Sequence, residues 1–190
     1  MRKLINTLTM MASAFMLFMA APAETYAASL VKPWTNGRLM VTANHRYLQF
    51  ENGQPFFLLG DTGWLLPERL DRSEAQYYLQ KCRAAGFNTV LVQVMNGTPA
   101  YNIYGQPSLP AGWDLTKADP DGVYSYWDHM DYIIKLAEQN GIYIGMVTIW
   151  GSQVKAGNIN ARQAKAYGSF LANRYKDSPN IIWVMGGDIQ

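Results

Sequence analysis

Four short apolar runs alternate with helical segments through most of the chain, and this alternation constrains the fold more than any other feature. The runs cover residues 56–59, 88–94, 142–148 and 181–185, and each is nearly continuous in apolar residues. Such runs are typical of strands buried on both faces, whereas strands with one wet face alternate apolar with polar residues. Consecutive buried strands joined by helices form a parallel sheet, so the pattern predicts an α/β fold with helices covering the sheet.

Capping signals delimit the helices between these runs. Asp71 and Glu74 have the spacing of a capping box, and Gly86 supplies a stop signal for the helix that they begin. Ser125 and Asn160 are residue types that favour the N-cap position of the next two helices. The predicted helices are residues 72–85, 125–140 and 160–175.

Two parallel architectures accommodate this order of elements, a doubly wound sheet and one half of a (β/α)8 barrel. The first run is followed by Gly60-Asp61-Thr62-Gly63-Trp64, which lacks the glycine-rich fingerprint of a phosphate-binding turn and so weakens the nucleotide-binding alternative. A closed barrel takes about 250 residues, so this chain holds only the first four β/α units. Since a half barrel leaves two open sheet edges, we expect the barrel to continue beyond Gln190.

The amino terminus has the pattern of a secretory signal peptide. Arg2 and Lys3 precede an apolar run, residues 8–20, that is too short to span a bilayer comfortably. Small residues then favour cleavage after Ala23 or Ala27, the alternative being an uncleaved membrane anchor. We therefore expect a secreted or periplasmic protein without stable membrane insertion.

Three segments follow from these assignments. Residues 1–27 form the signal peptide, residues 28–55 a linker and an N-terminal β-hairpin, and residues 56–190 the first half of the barrel. The hairpin strands are predicted at residues 39–42 and 46–50, where apolar residues flank turn signals.

Composition and charge exclude several classes of protein. The chain carries 16 Lys and Arg against 14 Asp and Glu, with 49% hydrophobic and 16% charged residues, which excludes a disordered chain and a polybasic nucleic-acid binder. Cys82 is the only cysteine, so no internal disulfide can form, and His45 and His129 are isolated in the sequence. We expect no metal and no other cofactor, and the composition leaves the oligomeric state open.

Polar and aromatic residues gather where the apolar runs end. Parallel folds place their chemistry at the carboxyl ends of the strands. Indole faces stack on the apolar faces of sugar rings, and carboxylates and amides hydrogen-bond to sugar hydroxyls, so the pattern predicts a rim that binds an oligo- or polysaccharide. The long segment 95–124 adds two polar candidates, because loops of this length are commonly functional. The predicted substrate-binding residues are Asp61, Trp64, Gln93, Asn102, Tyr104 and Trp150.

Each of these residues also has a purely structural interpretation. Asp61 could cap the turn that follows it, Gln93 could be a satisfied polar group inside the barrel, and the Trp and loop residues could anchor loops. Asp188 is harder to interpret structurally, because the two preceding glycines allow its backbone to approach a ligand closely.

Several motifs together resemble the apiosidase-like glycoside hydrolases of family 140. The most specific stretch contains Arg174-Tyr175-Lys176, then Asn180-Ile181-Ile182-Trp183, and finally Gly186-Gly187-Asp188. The resemblance extends over about residues 30–190. Further matching stretches lie at residues 60–64, 86–90, 102–105, 127–132 and 148–151.

The resemblance implies a (β/α)8 barrel of glycoside hydrolase clan A that cleaves apiose-containing pectic polysaccharide with retention. It places the acid/base at the end of the fourth strand, where Asp188 lies, and the nucleophile at the end of the seventh strand, beyond Gln190. The 190-residue chain alone is therefore expected to be inactive. Ile189-Gln190 departs from the polar pair expected there, which leaves the exact substrate open. The alternatives are another clan A activity of mannanase or cellulase type, and a noncatalytic glycan-binding protein.

Overall fold

The computed structural model describes residues 32–187, so the predicted signal peptide and Asp188 lie outside the described residues. Two sheets organise this part of the chain. The first sheet is antiparallel and contains β1 (Leu39–Val41), β2 (Leu48–Phe50) and β3 (Pro55–Phe56). The second is parallel and contains β4 (Gly60–Thr62), β5 (Thr89–Gln93), β7 (Tyr143–Val147) and β8 (Ile181–Val184), while β6 (Pro110–Trp113) lies in the long segment after β5.

Within residues 32–187, five α-helices follow or connect the strands of the parallel sheet. They are α1 (Leu66–Arg69), α2 (Arg72–Ala84), α3 (Tyr126–Gln139), α4 (Gly151–Lys155) and α5 (Ala161–Tyr175). The longer helices α2, α3 and α5 match the three predicted ones, whereas α1 and α4 are short additions at the carboxyl ends of β4 and β7. Within residues 32–187, no helix is both long and apolar enough to cross a membrane.

Side-chain caps begin all three long helices, as predicted. The Asp71 carboxylate accepts hydrogen bonds from the backbone N–H groups of Ser73 and Glu74, and the Glu74 side chain accepts one from the Asp71 N–H. Ser125 and Asn160 form the same reciprocal arrangement with the residues three positions later. Each box satisfies backbone donors that the first helical turn leaves free, which fixes where the helix begins.

The predicted first strand, residues 56–59, is wrong in position. Phe56 pairs with β2 in the antiparallel sheet, and the parallel ladder begins only at Gly60, opposite Thr89. Between them, the Asn88 amide donates to the Phe57 carbonyl and accepts from the Leu59 N–H, so a side chain replaces strand pairing there. Because this contact comes from a residue distant in sequence, the apolar run alone cannot indicate it.

The predicted hairpin is also larger than expected. The structure adds β3 to the two predicted strands, so the N-terminal unit is a three-stranded sheet that extends to Phe56. Phe50 and Phe56 pack edge-to-face, and Phe56 contacts the Tyr143 ring of β7 in the same way. Ile182 of β8 packs against the same cluster. The small sheet therefore covers the amino-terminal ends of the parallel strands and leaves their carboxyl ends open.

The order of the parallel strands decides between the two predicted architectures. Sequential strands are neighbours throughout, in the order β4-β5-β7-β8, whereas a doubly wound sheet reverses its strand order at a switch point. One face packs on the helices through alternate strand residues, among them Val90, Val92, Ile144 and Met146. The predicted fold class is thereby confirmed, since the described residues form the first four strands of a (β/α)8 barrel with their helices.

Candidate active site

The carboxyl ends of the four parallel strands form one continuous rim. Hydrogen bonds continue beyond the strands, because the Val94 N–H donates to the Val147 carbonyl at 2.9 Å and the Thr148 N–H donates to the Val184 carbonyl at 3.3 Å. The Gln93 N–H donates to the Trp64 carbonyl at 3.0 Å, which ties the segment after β4 to β5. These contacts bring the residues that follow each strand to the same edge of the sheet.

Two of the predicted aromatic residues meet at this rim. The indole rings of Trp64 and Trp150 lie 5.6 Å apart between centroids at an interplanar angle of 74°, an edge-to-face contact. Trp64 follows β4 and Trp150 follows β7, so the pair joins the ends of two strands that are separated by β5. Both side chains are half-buried. The pair, which we call the aromatic corner, is an apolar surface that a sugar ring can pack against.

Gln93 lies in the strand between the two indoles. Gln93 is 5% exposed, and within residues 32–187 no side chain or backbone group forms a hydrogen bond with its side-chain amide. The Gln93 amide thus has donors and an acceptor available for a ligand hydroxyl.

Asp61 is held on the helix-covered side of the rim. One carboxylate oxygen accepts a hydrogen bond from the Tyr78 hydroxyl of α2 at 2.8 Å, and the other accepts from the Thr62 N–H at 2.8 Å. The Cys82 Sγ lies 3.9 Å from the same carboxylate. Burial and the hydrogen bond to Asp61 raise the pKa of Tyr78, which therefore stays a neutral donor. The structure does not bring this carboxylate into contact with the aromatic corner, and its predicted sugar contact stays a prediction.

Asn102 and Tyr104 are brought together, but in the body of the long segment. The Asn102 amide oxygen accepts from the N–H groups of Tyr104 and Gln106, and its nitrogen donates to the Ser125 carbonyl at the start of α3. The Tyr104 hydroxyl accepts from the Arg72 N–H at 3.0 Å. Their polar atoms thus hold the segment against α2 and α3, and their sugar contacts stay predictions.

A hydrogen-bonded brace that the sequence did not indicate links three rim segments. Glu68 of α1 accepts from the Asn96 N–H at 3.1 Å, and Gln153 of α4 donates to the Asn96 carbonyl at 3.2 Å. The Gln153 amide oxygen also accepts from Thr98 and Asn158. Burial raises the pKa of Glu68, although the Asn96 N–H and the Arg69 charge oppose the shift. Helices as short as α1 and α4 leave no periodic pattern in the sequence, so the brace could not be predicted from periodicity. The one available signal was the position of Glu68 shortly after β4, which places a carboxyl group near the rim.

The long segment between β5 and α3 is clamped at its far end by charge. Arg174 of α5 donates through two guanidinium nitrogens to Asp131 at 2.9 and 2.8 Å, and a third nitrogen pairs with Asp119. Asp119 in turn accepts from the hydroxyl of Ser125, the N-cap residue of α3. This clamp fixes the segment to two helices.

An apolar cavity lies next to the carboxyl ends of β7 and β8. It has a volume of about 660 Å³ between α5 and β8 and is lined mainly by apolar side chains, including Leu171, Trp183 and Met185. It opens on the helix-covered side of the sheet and does not include the aromatic corner. Residues 32–187 contain no group of three or more His, Cys, Asp or Glu side chains placed to hold a metal ion.

Comparison with known proteins identifies the family. Residues 42–190 match the protein family described as "Apiosidase-like, catalytic domain". No curated protein matches the chain.

Two solved structures resemble the chain strongly. A glycoside hydrolase of family 5 from Bacteroides vulgatus ATCC 8482 is 59% identical with a TM-score of 0.81, over 83% of this chain and 34% of its own. A second structure, described as a glycoside hydrolase, has the same identity and TM-score over 83% of this chain and 36% of its own. The chain therefore spans about a third of the length of these solved relatives.

A more distant structure shares the fold alone. The endo-1,4-beta-mannanase from Rhizomucor miehei is 14% identical with a TM-score of 0.55, over 80% of this chain and 48% of its own. This likeness agrees with the barrel-type strand order of the parallel sheet.

Proposed function

Because the chain belongs to the apiosidase-like catalytic domain family, we propose that the protein is an exported glycoside hydrolase that cleaves apiose-containing pectic polysaccharide of plant cell walls. The two relatives at 59% identity are described as glycoside hydrolases, which supports the general class. The pectic substrate rests on the family and on the sequence motifs. The predicted signal peptide supports export, and mass spectrometry of the mature protein, beginning at Glu24 or Ala28, tests it.

The observation that carries this proposal is the aromatic corner beside Gln93. Trp64 and Trp150 offer apolar surface at the carboxyl rim of the sheet, where barrel enzymes hold their substrates. Gln93 supplies hydrogen-bonding groups next to that surface. Sugar-binding sites usually combine aromatic rings, which pack against the apolar faces of the sugar, with a few polar groups, which hydrogen-bond to its hydroxyls.

Asp188 is the proposed acid/base. Asp188 directly follows Gly187 and is four residues after Val184, where β8 ends. In a retaining glycosidase one carboxylic acid protonates the leaving oxygen while a carboxylate about 5–5.5 Å away attacks the anomeric carbon, and the first group then activates water. We place the attacking carboxylate beyond Gln190, so the 190-residue chain by itself has no turnover.

Comparing two kinds of substrate tests this role in the protein as its gene encodes it. Asp188→Ala should lower kcat/KM on the natural polysaccharide by about 10²- to 10⁴-fold, because its leaving group needs a proton. An activated aryl glycoside should lose far less, because its leaving group departs without one. Asp177→Ala is the matched control, since Asp177 is exposed and follows the carboxyl end of α5. Equal losses on both substrates, or none, would contradict the assignment.

Other substrates within the clan remain distinguishable by product analysis. Fold alone does not determine substrate, and the mannanase likeness is one of fold only. Incubation with apiose-containing pectic oligosaccharide, mannan and cellulose should give new reducing ends from the first substrate alone. Binding without cleavage of any substrate would favour the glycan-binding alternative.

A further inference from the structure

Trp150 and Gly187 approach each other more closely than a side chain at position 187 would allow. A Cβ atom built on Gly187 would lie 2.2, 2.3 and 2.4 Å from the Cε3, Cζ3 and Cδ2 atoms of the Trp150 ring. Real Cβ contacts are essentially never shorter than 3.0 Å. Near-equal distances to three consecutive ring atoms place that position over the face of the six-membered ring. The backbone of Gly187 therefore rests on the indole.

The neighbouring glycine is required for a different reason. Gly186 has a φ of +99°, a conformation that side chains disfavour, but nothing lies within 4 Å of a Cβ built on it. Gly187 instead requires empty space, because its neighbour is a flat and rigid ring. The two glycines thus shape the end of β8 by two independent constraints, one conformational and one steric.

The indole cannot easily move aside to admit a side chain. Trp150 is held edge-to-face by Trp64 at 5.6 Å, and it immediately precedes α4, whose Gln153 is part of the rim brace. Displacing Trp150 would disturb both contacts. Gly145 offers a contrast. The atom closest to a Cβ built on Gly145 is the terminal methyl group of Leu91, and this flexible side chain can move aside.

We propose that Trp150 is a positioning residue for the acid/base, because its ring supports the Gly187 backbone from which Asp188 follows. This inference rests on the proposed function. The two residues of the aromatic corner then differ in role. Both contribute sugar-binding surface, and Trp150 also fixes where the chain leaves β8. A misplacement of about 1 Å at a catalytic group can cost about 10²-fold in rate, so support at the adjacent residue matters to turnover.

The first test compares substrates with poor and good leaving groups in the protein as its gene encodes it. Trp150→Ala should lower kcat/KM at least about tenfold more on the natural polysaccharide than on an aryl glycoside of the same sugar. Trp64→Ala should show a smaller difference between the two substrates, because it removes binding surface and reaches the Gly187 backbone only through its contact with Trp150. Equal losses for Trp150→Ala on both substrates would overturn the proposal.

The second test is a double-mutant cycle between positions 150 and 187. Gly187→Ala should lower thermal stability in the wild-type background and have little effect in the Trp150→Ala background, where the obstructing ring is gone. Gly168→Ala is the matched control, since Gly168 lies in α5 with nothing within 4 Å of an added Cβ. Additive effects of the two substitutions would overturn the proposal. If Gly187→Ala fails to fold, recovery of folding in the double variant carries the same information.

Asp188→Ala, measured in parallel, separates this inference from the proposed function. If Asp188→Ala shows no dependence on the leaving group, the acid/base assignment fails, and the positioning role fails with it. If Asp188→Ala shows the dependence and Trp150→Ala does not, only the positioning role is overturned. The stability cycle reports on the contact independently of turnover.

Discussion

At the scale of single residues, His129 is a buried imidazole whose surroundings favour its neutral form. Its Nε2 lies 3.0 Å from the Leu70 carbonyl, which can only accept, so Nε2 carries the proton and Nδ1 accepts from the Tyr124 hydroxyl. Burial lowers the pKa of His129, and the nearby Arg72 charge adds to this shift, while the Leu70 hydrogen bond and Asp71 oppose it. The histidine thus joins α3 to the segment before α2 as a neutral group.

This state predicts a loss of stability in mild acid. Because the folded protein lowers the pKa, the unfolded chain binds the proton more readily, and the contribution of His129 is fully present above about pH 6.5 and declines as the pH falls below it. Urea unfolding at pH 7.5 and pH 5 measures it. The difference in unfolding free energy between the wild type and His129→Gln should shrink at pH 5, and a constant difference would contradict the account.

Asp61 is the second residue whose neighbours predict a measurable effect. Asp61→Ala leaves the Tyr78 hydroxyl without its acceptor and should lower the free energy of unfolding by about 1–3 kcal/mol. Adding Tyr78→Phe should recover part of this loss, because it removes the unpaired donor. Chemical denaturation of the two single variants and the double variant measures the coupling. If the loss of stability in the double variant equals the sum of the two single losses, the coupling between Asp61 and Tyr78 is contradicted.

At the scale of elements, the clamp around Arg174 holds the long segment between β5 and α3. Arg174→Ala would leave Asp119 and Asp131 without their cation. We expect faster proteolysis of residues 95–124 and a loss of about 1–3 kcal/mol in stability, since the guanidinium is partly buried and its hydrogen bonds are charge-assisted.

Lys135→Ala is the matched control for this clamp. Lys135 pairs with Glu138 on the surface of α3 at 2.6 Å, with 66% of its side chain exposed. Such surface pairs contribute about 0–1 kcal/mol, so both the proteolysis pattern and the stability should stay close to those of the wild type. Equal effects of the two substitutions would contradict the proposed anchoring by Arg174.

Elements whose signals are local could be predicted from the sequence. The capping box of Asp71 and the N-caps Ser125 and Asn160 lie directly before the helices they begin, and the structure contains all three. The position of the first parallel strand could not be predicted, because Asn88, distant in sequence, pairs with the backbone at Phe57 and Leu59. The aromatic corner was predicted as two rim residues, but their contact and the closeness of Gly187 depend on the fold.

At the scale of the whole molecule, apolar surface remains open beside β8. The cavity of about 660 Å³ between α5 and β8 includes Trp183, which is 38% exposed, and Met185, which is 79% exposed. Exposed apolar patches of this kind mark interaction surfaces or aggregation sites. We expect the 190-residue chain, produced by itself, to bind a hydrophobic dye and to self-associate.

A substitution inside this cavity tests that expectation. Met185→Ser should lower dye binding and self-association, because it removes the most exposed apolar side chain of the cavity. Tyr47→Ser is a matched control, since Tyr47 is 66% exposed near β2 and does not line this cavity. Analytical ultracentrifugation measures the outcome, and unchanged association of Met185→Ser would exclude the cavity as the contact surface.

Retaining hydrolysis of a glycoside at the carboxyl rim of the sheet is the central proposal. The most direct test is proton NMR of the products formed in the first minutes, when the protein as its gene encodes it is mixed with apiose-containing pectic oligosaccharide. Two successive displacements at the anomeric carbon predict a first product with the configuration of the substrate. A first product of opposite configuration, or no cleavage at all, would contradict it.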